Sequence, residues 1–335
     1  MQETDKLKQK YPVKPGFRER IKNLMGKDAE RFFEIAYTKT PESIRCNTLK
    51  INPEELKKRL ENLGWKIKQP FSRYPEIMII DESERKLEAG ELGKTKEHLL
   101  GYYYVQEISS MLPILALNPK ENELLLDLCA SPGSKTSQAS AMMNNKGTII
   151  ANDNNLGRIR ILTSNLERLG ASNVIVTRKD GVQLCRIFNN KSKIKFDKIL
   201  VDAPCSGEGT LRKSPKTFLM WNLKFLKGLS KIQKKLAGEA LKLLKVNGEM
   251  IYSTCTLSPE EDEAVIDYLV KNFNIKVEEI KLPIKMRCGV CEWEGRQYDK
   301  EVKKACRLYP QDNNTDGFFL CKITKLGDKN ENTNL

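Results

Sequence analysis

From Leu124 onward the chain alternates short apolar, strand-like runs with helical patterns, and this alternation restricts the possible fold more than any other property. The runs are Leu124 to Cys129, Gly147 to Asp153, Asn173 to Thr177, Ile199 to Asp202 and Glu249 to Ser253. Helical signals intervene from about Lys135, from Leu156 to Leu169 and from about Leu223 to Lys245. Parallel neighbours need long crossovers, so repeated units of this length predict an α/β domain with a mostly parallel, doubly wound sheet. A late run, Gly317 to Thr324, predicts an antiparallel last strand. Open sheets of this kind bind ligands beyond the carboxyl ends of their strands, so the residues just after each run are the functional candidates.

The first hundred residues read differently. Residues 17 to 37 form a helical pattern broken near Gly26, Arg45 to Ile51 reads as a strand, Asn52 caps a helix from Pro53 to Asn62, and Glu76 to Asp81 reads as another strand. The expected organisation is a small helical and α/β domain over 1–100 and a larger α/β domain over 101–324, with 81–98 as a charged connector. A disordered polar tail is expected over 325–335.

Residues 1 to 20 carry no apolar run of signal-peptide type, and no run is long enough to span a bilayer. The nine cysteines, an odd number lying mostly in apolar runs, fit reduced thiols. A cytoplasmic location without membrane contact is expected. The net charge of +14 predicts a polyanionic partner. His98 is the only histidine, which excludes a multi-histidine metal site; a solvated surface role is expected for it.

Asp127-Leu-Cys-Ala-Ser-Pro-Gly-Ser-Lys-Thr136 follows the first strand of the larger domain and opens a helix, the place of a nucleotide-binding turn. Gly133 would let the backbone approach a ligand. Leu128 and Cys129 stand where the Walker pattern needs a second glycine, and the dinucleotide fingerprint is absent, so ATP and NAD are disfavoured. Asp153 ends the next strand, where a carboxylate can take two ribose hydroxyls, and no basic residue beside it awaits a phosphate. Adenosine without pyrophosphate points to S-adenosylmethionine; the alternative is an ordinary turn followed by a surface aspartate. Arg158 and Asp180 either flank the same ligand or are surface charges. Cys205, in Asp202-Ala-Pro-Cys-Ser-Gly207, and Cys255, in Tyr252-Ser-Thr-Cys-Thr256, each stand just past a strand.

These motifs, with Arg45-x-Asn-Thr-Leu49, Gln106-x-x-Ser-Ser110 and Arg307-Leu-Tyr-Pro-x6-Asp-Gly-Phe-Phe319, resemble the Sun-type (RsmB-like) family of RNA cytosine-5 methyltransferases over most of the chain. The resemblance implies a Rossmann-like, S-adenosylmethionine-dependent catalytic domain behind a small N-terminal RNA-binding domain. It places the methionine portion of the cofactor on Cys129, Ala130, Ser131, Pro132, Gly133, Ser134 and Lys135. Ribose falls on Asp153 with Arg158 close by, adenine near Asp180, and methyl transfer at Asp202. Cys255 corresponds to the nucleophile and Cys205 to the cysteine that assists product release. The chain departs from the family at Gln311, where many members have histidine, and at Ser131, a common alanine.

The chemistry agrees. Carbon 5 of cytosine is too weak a nucleophile to take a methyl group directly, so a thiolate must first add to carbon 6. Asp202 can hydrogen-bond ring nitrogen 3 or the amino group, and Lys135 either assists there or holds the turn. Ser258-Pro-Glu-Glu261 reads as a capping box whose helix N-terminus would favour a nearby thiolate. From Thr210 to Gly248, between the two cysteines, Arg212, Lys213, Lys216, Lys224, Lys227, Lys231, Lys234, Lys235, Lys242 and Lys245 face only Glu239. This segment is either an RNA-binding surface or the solvated side of the stripe Leu226, Leu229, Leu236, Ala240 and Leu243. Tyr102, Tyr103 and Tyr104 read as packing residues rather than base-stacking ones. Cys288-Gly-Val-Cys291 has the spacing of half a zinc site that Cys306 and Cys321 would complete, but Cys321 alternates within the last strand and no metal is expected. The expected activity is methylation of tRNA by a monomer. Ribosomal RNA as substrate, or a non-catalytic RNA-binding assembly factor, are the alternatives.

Overall fold

The computed structural model describes residues 3–88 and 90–328, and compactness divides the chain into two units. The first comprises the residues up to Thr40, Ala203–Gly238 and those from Tyr252; the second comprises Pro41–Asp202 and Glu239–Ile251. Each unit is therefore assembled from separate stretches of sequence.

The second unit holds the parallel strands. Phe196–Asp202, Leu124–Asp127, Thr148–Asp153 and Val174–Arg178 lie side by side in that order, all parallel, with Asp127 opposite both Ala151 and Leu200. Crossovers run through the helices Ser134–Met142, Leu156–Leu169 and Gly181–Ile187. Leu125, Leu126, Ile149, Ile199 and Leu200 are fully buried, as strands covered on both faces require.

The same unit carries a four-stranded antiparallel sheet, ordered Ile67–Lys68, Ile77–Ile80, Ser43–Cys46, Tyr103–Val105. The helix Pro53–Asn62 begins on Asn52, whose side chain accepts from Glu54 N at 2.9 Å. Its Leu56 and Leu60 pack with Ile44, Met78 and Tyr103. The strand expected over 45–51 stops at Cys46 because Asn47 turns the chain: its carbonyl accepts from Lys50 N and Ile51 N, and its amide reaches Gly101 O and Leu169 O. Tyr103 and Tyr104 are buried, as packing residues are. His98 is half-buried rather than solvated; its ring lies 5.6 Å from that of Tyr103, and burial together with Arg168 pushes its pKa down.

In the first unit the helices Pro15–Met25 and Ala29–Ile35 are joined by a tight turn at Gly26–Asp28, where Gly26 has φ 57°. Phe17, Ile21, Phe32 and Phe33 pack against Leu211, Phe218, Leu257 and Tyr309. The strands Arg287–Cys288, Cys306–Leu308, Phe318–Gly327 and Asn274–Glu278 pair antiparallel. The last strand in sequence runs to Gly327, inside the expected tail, because Lys325 is buried and paired in register with Ile275. Residues 329–335 of that tail lie outside the described residues. Among the described residues no helix is long and apolar enough to cross a membrane.

Candidate active site

In the second unit three neighbouring parallel strands each end on an aspartate: Asp127, Asp153 and Asp202. Asp153 is buried, its Oδ1 accepting from Asn155 N at 3.0 Å and its Oδ2 from Arg158 Nε at 2.9 Å. Arg158 also donates to Ser131 O at 2.7 Å, while Ser131 Oγ returns a bond to Arg158 O at 2.8 Å. This reciprocal clasp fixes the loop of Cys129 to Gly133 against the start of the helix Leu156–Leu169. Gly133 has φ 100°, and a Cβ there would meet Leu162 Cδ1 at 2.9 Å. Backbone conformation and close packing against Leu162 therefore both require glycine here.

Lys135 is buried and donates to Asp202 Oδ2 at 2.8 Å and to Ser110 Oγ at 3.0 Å. Asp127 accepts from Thr136 Oγ1 at 2.7 Å, while its Oδ1 is buried with no hydrogen-bond partner. Burial, with a contribution from Asp202, pushes the Asp127 carboxyl up to about 7. Burial and the carboxylates of Asp127, Asp202 and Asp153 push the Cys129 thiol far up, leaving it an inert wall. Ala130 and Ser131 are buried, Pro132 is exposed and Ser134 opens the helix. Asp180 is exposed and caps the helix Gly181–Ile187, accepting from Gln183 N at 3.0 Å.

The donor set tests the cofactor. Lys135 is paired with Asp202 and Arg158 with Asp153, so these cations are already committed to carboxylates rather than to a phosphate. Such a site is not built for pyrophosphate and suits a nucleoside bearing a positive sulfonium. The residues fit S-adenosylmethionine.

Sequence reasoning missed the support beneath this loop. Arg45, buried, donates to the Gln106 side chain, to Ser134 O at 2.6 Å and to Ser137 Oγ at 2.8 Å. Burial lowers its pKa to about 10. The only signal was the pairing of Arg45 and Gln106 in separate family motifs.

The cysteines belong to the first unit. Ala203 N donates to Ser253 O at 2.9 Å, which sets the two strand exits side by side and brings Cys205 Sγ within 3.2 Å of Cys255 Sγ. Ser206 N donates to Glu261 Oε2 at 3.0 Å, Gln233 Nε2 to the same oxygen at 2.8 Å and to Pro204 O at 2.9 Å. Gly209 N donates to Cys255 O at 2.9 Å, and a Cβ at Gly209 would lie 2.1 Å from Gly317 O. Only glycine fits there. The hydrogen bond to Cys255, then burial, then Glu261, push the Cys205 thiol well above its ordinary range. The two sulfurs are thus within hydrogen-bonding distance, and either can be the donor.

The expected capping box does not form. The helix starts at Glu263, Ser258 Oγ donates to Glu260 Oε2 at 2.8 Å, and Glu261 is drawn away to Ser206 and Gln233. A helix N-terminus at Pro259 is therefore not what acts on Cys255. Order comes instead from Arg307, buried, which grips the buried Glu263 carboxylate with two nitrogens and donates to Leu257 O at 3.0 Å. Gln311 contacts Met25 Sδ at 3.6 Å. Cys288 pairs across strands with Cys306, Cys321 is buried, and no described cluster of three or more ligands is placed to hold a metal. The long helix Leu223–Leu243 buries Leu226, Leu236, Ala240 and Leu243, and exposes Lys231 and Lys235.

Residues 114–324 match the family model described as 16S rRNA methyltransferase RsmB/F, and residues 14–108 match the N-terminal domain of 16S rRNA methyltransferase RsmF. The chain is 41% identical over 298 residues to the tRNA (cytosine(49)-C(5))-methyltransferase of Pyrococcus abyssi, covering 89% of this chain and 92% of that protein. It is 38% identical over 301 residues to the ribosomal RNA small subunit methyltransferase F of Aliivibrio salmonicida, covering 87% of this chain but 59% of that longer protein. The crystal structure of NSun6 from Pyrococcus horikoshii with SFG, an S-adenosylmethionine analogue, superposes with a TM-score of 0.80 at 25% identity, covering 95% of this chain and 100% of that one.

Proposed function

The chain belongs to the RsmB/F family of S-adenosylmethionine-dependent RNA methyltransferases, and we propose that it methylates carbon 5 of a cytosine in transfer RNA with Cys255 as nucleophile and Cys205 as its assistant. The observation that carries this reading is the thiol pair, 3.2 Å apart past adjacent strand exits. Transfer RNA is favoured because the relative matched along nearly its whole length is a tRNA enzyme, whereas the ribosomal RNA relative is much longer.

The Cys255 thiolate adds to carbon 6, and the electron pair of the 5,6 double bond moves onto carbon 5. Asp202, held on one oxygen by Lys135, hydrogen-bonds the cytosine ring nitrogen 3 or amino group and steadies the charge that develops there. Bound S-adenosylmethionine supplies an electrophilic methyl on its sulfonium, which the carbon 5 electron pair takes. A base then removes the carbon 5 proton, the double bond re-forms, and the bond from Cys255 to carbon 6 breaks to return the thiolate. Cys205 assists this release. Asp153 with Arg158 holds the ribose, Cys129 to Lys135 the methionine portion, and Asp180 flanks the adenine. Residues 14–108 contribute to RNA binding.

Asp153→Ala is expected to weaken S-adenosylmethionine about 10- to 100-fold in a calorimetric titration, since it removes a charged hydrogen-bond acceptor. Arg158 is half-exposed, so the fold should survive. Unchanged affinity would contradict the ribose placement.

Bisulfite sequencing of RNA from cells with and without the protein tests the substrate. Protected tRNA cytosines should vanish with the protein. Loss confined to ribosomal RNA would replace tRNA as substrate, and no loss in any RNA would overturn the activity.

A further inference from the structure

Within the first unit a cavity of about 360 Å³ opens between the face of the long helix at Lys227–Lys234 and the residues 293–298. Lys227, Lys231 and Lys234 are spaced at i, i+4 and i+7, which puts them on one helical face, and all three line the cavity. Opposite them are Trp293 and Tyr298, both nearly buried. The turn of the hairpin Glu292–Trp293/Arg296–Gln297 brings Arg296 to the same rim.

The acidic groups around the cavity are already engaged. Glu260 and Glu294 both pair with Arg20, and Asp267 pairs with Lys271 and Arg296. The lysines are thus surplus positive charge. Burial and the neighbouring Arg296 lower the pKa of Lys234, so an anion at this rim would relieve it. Arg20 lies over Trp293 at 5.0 Å from the ring centre, and the indole nitrogen donates to Glu260 Oε1 at 3.3 Å, so the aromatic wall is held in place.

The cavity wall is also continuous with the loop that carries the thiols. Ser230 Oγ in the wall donates to Glu260 O at 2.5 Å, and Gln233 on the same helix holds Glu261, which holds Ser206 N. We propose that this cavity takes one unpaired nucleotide of the substrate RNA other than the reacting cytosine, its phosphate on Lys227, Lys231 and Lys234 and its base against Trp293 and Tyr298. The inference rests on the RNA methyltransferase reading and adds to it a second point of attachment. A lone phosphate would leave most of the cavity unfilled, while an unpaired base presents the flat face that an aromatic wall accepts.

The test compares two variants of equal charge loss in the full-length protein. Lys227→Gln/Lys231→Gln/Lys234→Gln removes the cavity cations; Lys216→Gln/Lys224→Gln/Lys235→Gln removes three exposed cations elsewhere on the same unit. The first is expected to raise KM for RNA at least about tenfold with kcat within about twofold, and to flatten the salt dependence of binding; the second should change KM by less than about threefold. RNA carrying 4-thiouridine at successive positions should photo-crosslink to the peptide 292–298. If the two variants behave alike while the wild type methylates RNA, the cavity proposal alone falls, and crosslinks that map only elsewhere overturn it equally. If the wild type forms 5-methylcytosine in no RNA, the activity and the cavity proposal fall together.

Discussion

Cys255→Ser is expected to lower methyl transfer by at least about 1000-fold, because a serine hydroxyl is almost never ionised near neutral pH and cannot replace a thiolate at carbon 6. Cys205→Ser should fail at a later stage. Its neighbour can still attack and the methyl group can still transfer, but release of the thiolate is impaired, so the methylated RNA stays attached and runs as a protein band resistant to denaturation. The geometry brings the two sulfurs within 3.2 Å of each other, and the contact with Cys255, burial and Glu261 push the Cys205 thiol up. Combining both substitutions should remove the band, since no covalent bond can form. A denaturing gel with labelled methyl groups distinguishes these outcomes, and an adduct from Cys255→Ser but not from Cys205→Ser would reverse the two assignments.

Arg307→Met is expected to destabilise the protein by about 3–5 kcal/mol, the cost of stranding a buried charge. Arg307, Glu263 and Asp262 are all buried, and Arg307 lies 3.6 Å from Asp262 besides gripping Glu263. Burial already pushes the Asp262 carboxyl well up while Arg307 pulls it down. Without the cation, the folded-state carboxyls bind protons more tightly than the unfolded chain does. The deficit should therefore grow as pH rises above the ordinary carboxylate range and shrink on acidification. Adding Glu263→Gln should recover part of the loss, because an amide needs no cation. Urea unfolding at two pH values measures both effects. Since Arg307 also holds Leu257 O, two residues beyond Cys255, a folded variant should turn over more slowly as well.

The parallel strands and the residues at their ends were legible because buried strands of this kind are continuous apolar runs, and the position after such a run is fixed by the fold. Asp127, Asp153, Asp202, Cys205 and Cys255 all stand where that logic puts them. What pattern could not show is which distant side chain meets which. Glu261 looked like a capping residue by its spacing from Ser258, but Ser206 and Gln233 compete for it and win. Arg45 and Arg307 entered only as letters of family motifs, yet both are buried and brace the loops after the strands. Gly133 was legible as a required glycine, but the crowding by Leu162 that also demands it lies on a distant helix that no local pattern shows. The cavity at Trp293 depends on a short hairpin whose strands are two residues each, too short to leave a periodic signal.

The central claim is covalent catalysis by Cys255, and trapping with RNA that carries 5-fluorocytosine tests it most directly. Fluorine at carbon 5 cannot leave as a cation, so after methyl transfer the bond to carbon 6 cannot break and the wild-type enzyme should remain attached to its RNA. Digestion and mass spectrometry should then find the methylated fluorocytidine on the peptide containing Cys255. A fluorocytidine found on Cys205, or complete absence of an adduct while ordinary RNA is methylated, would contradict it.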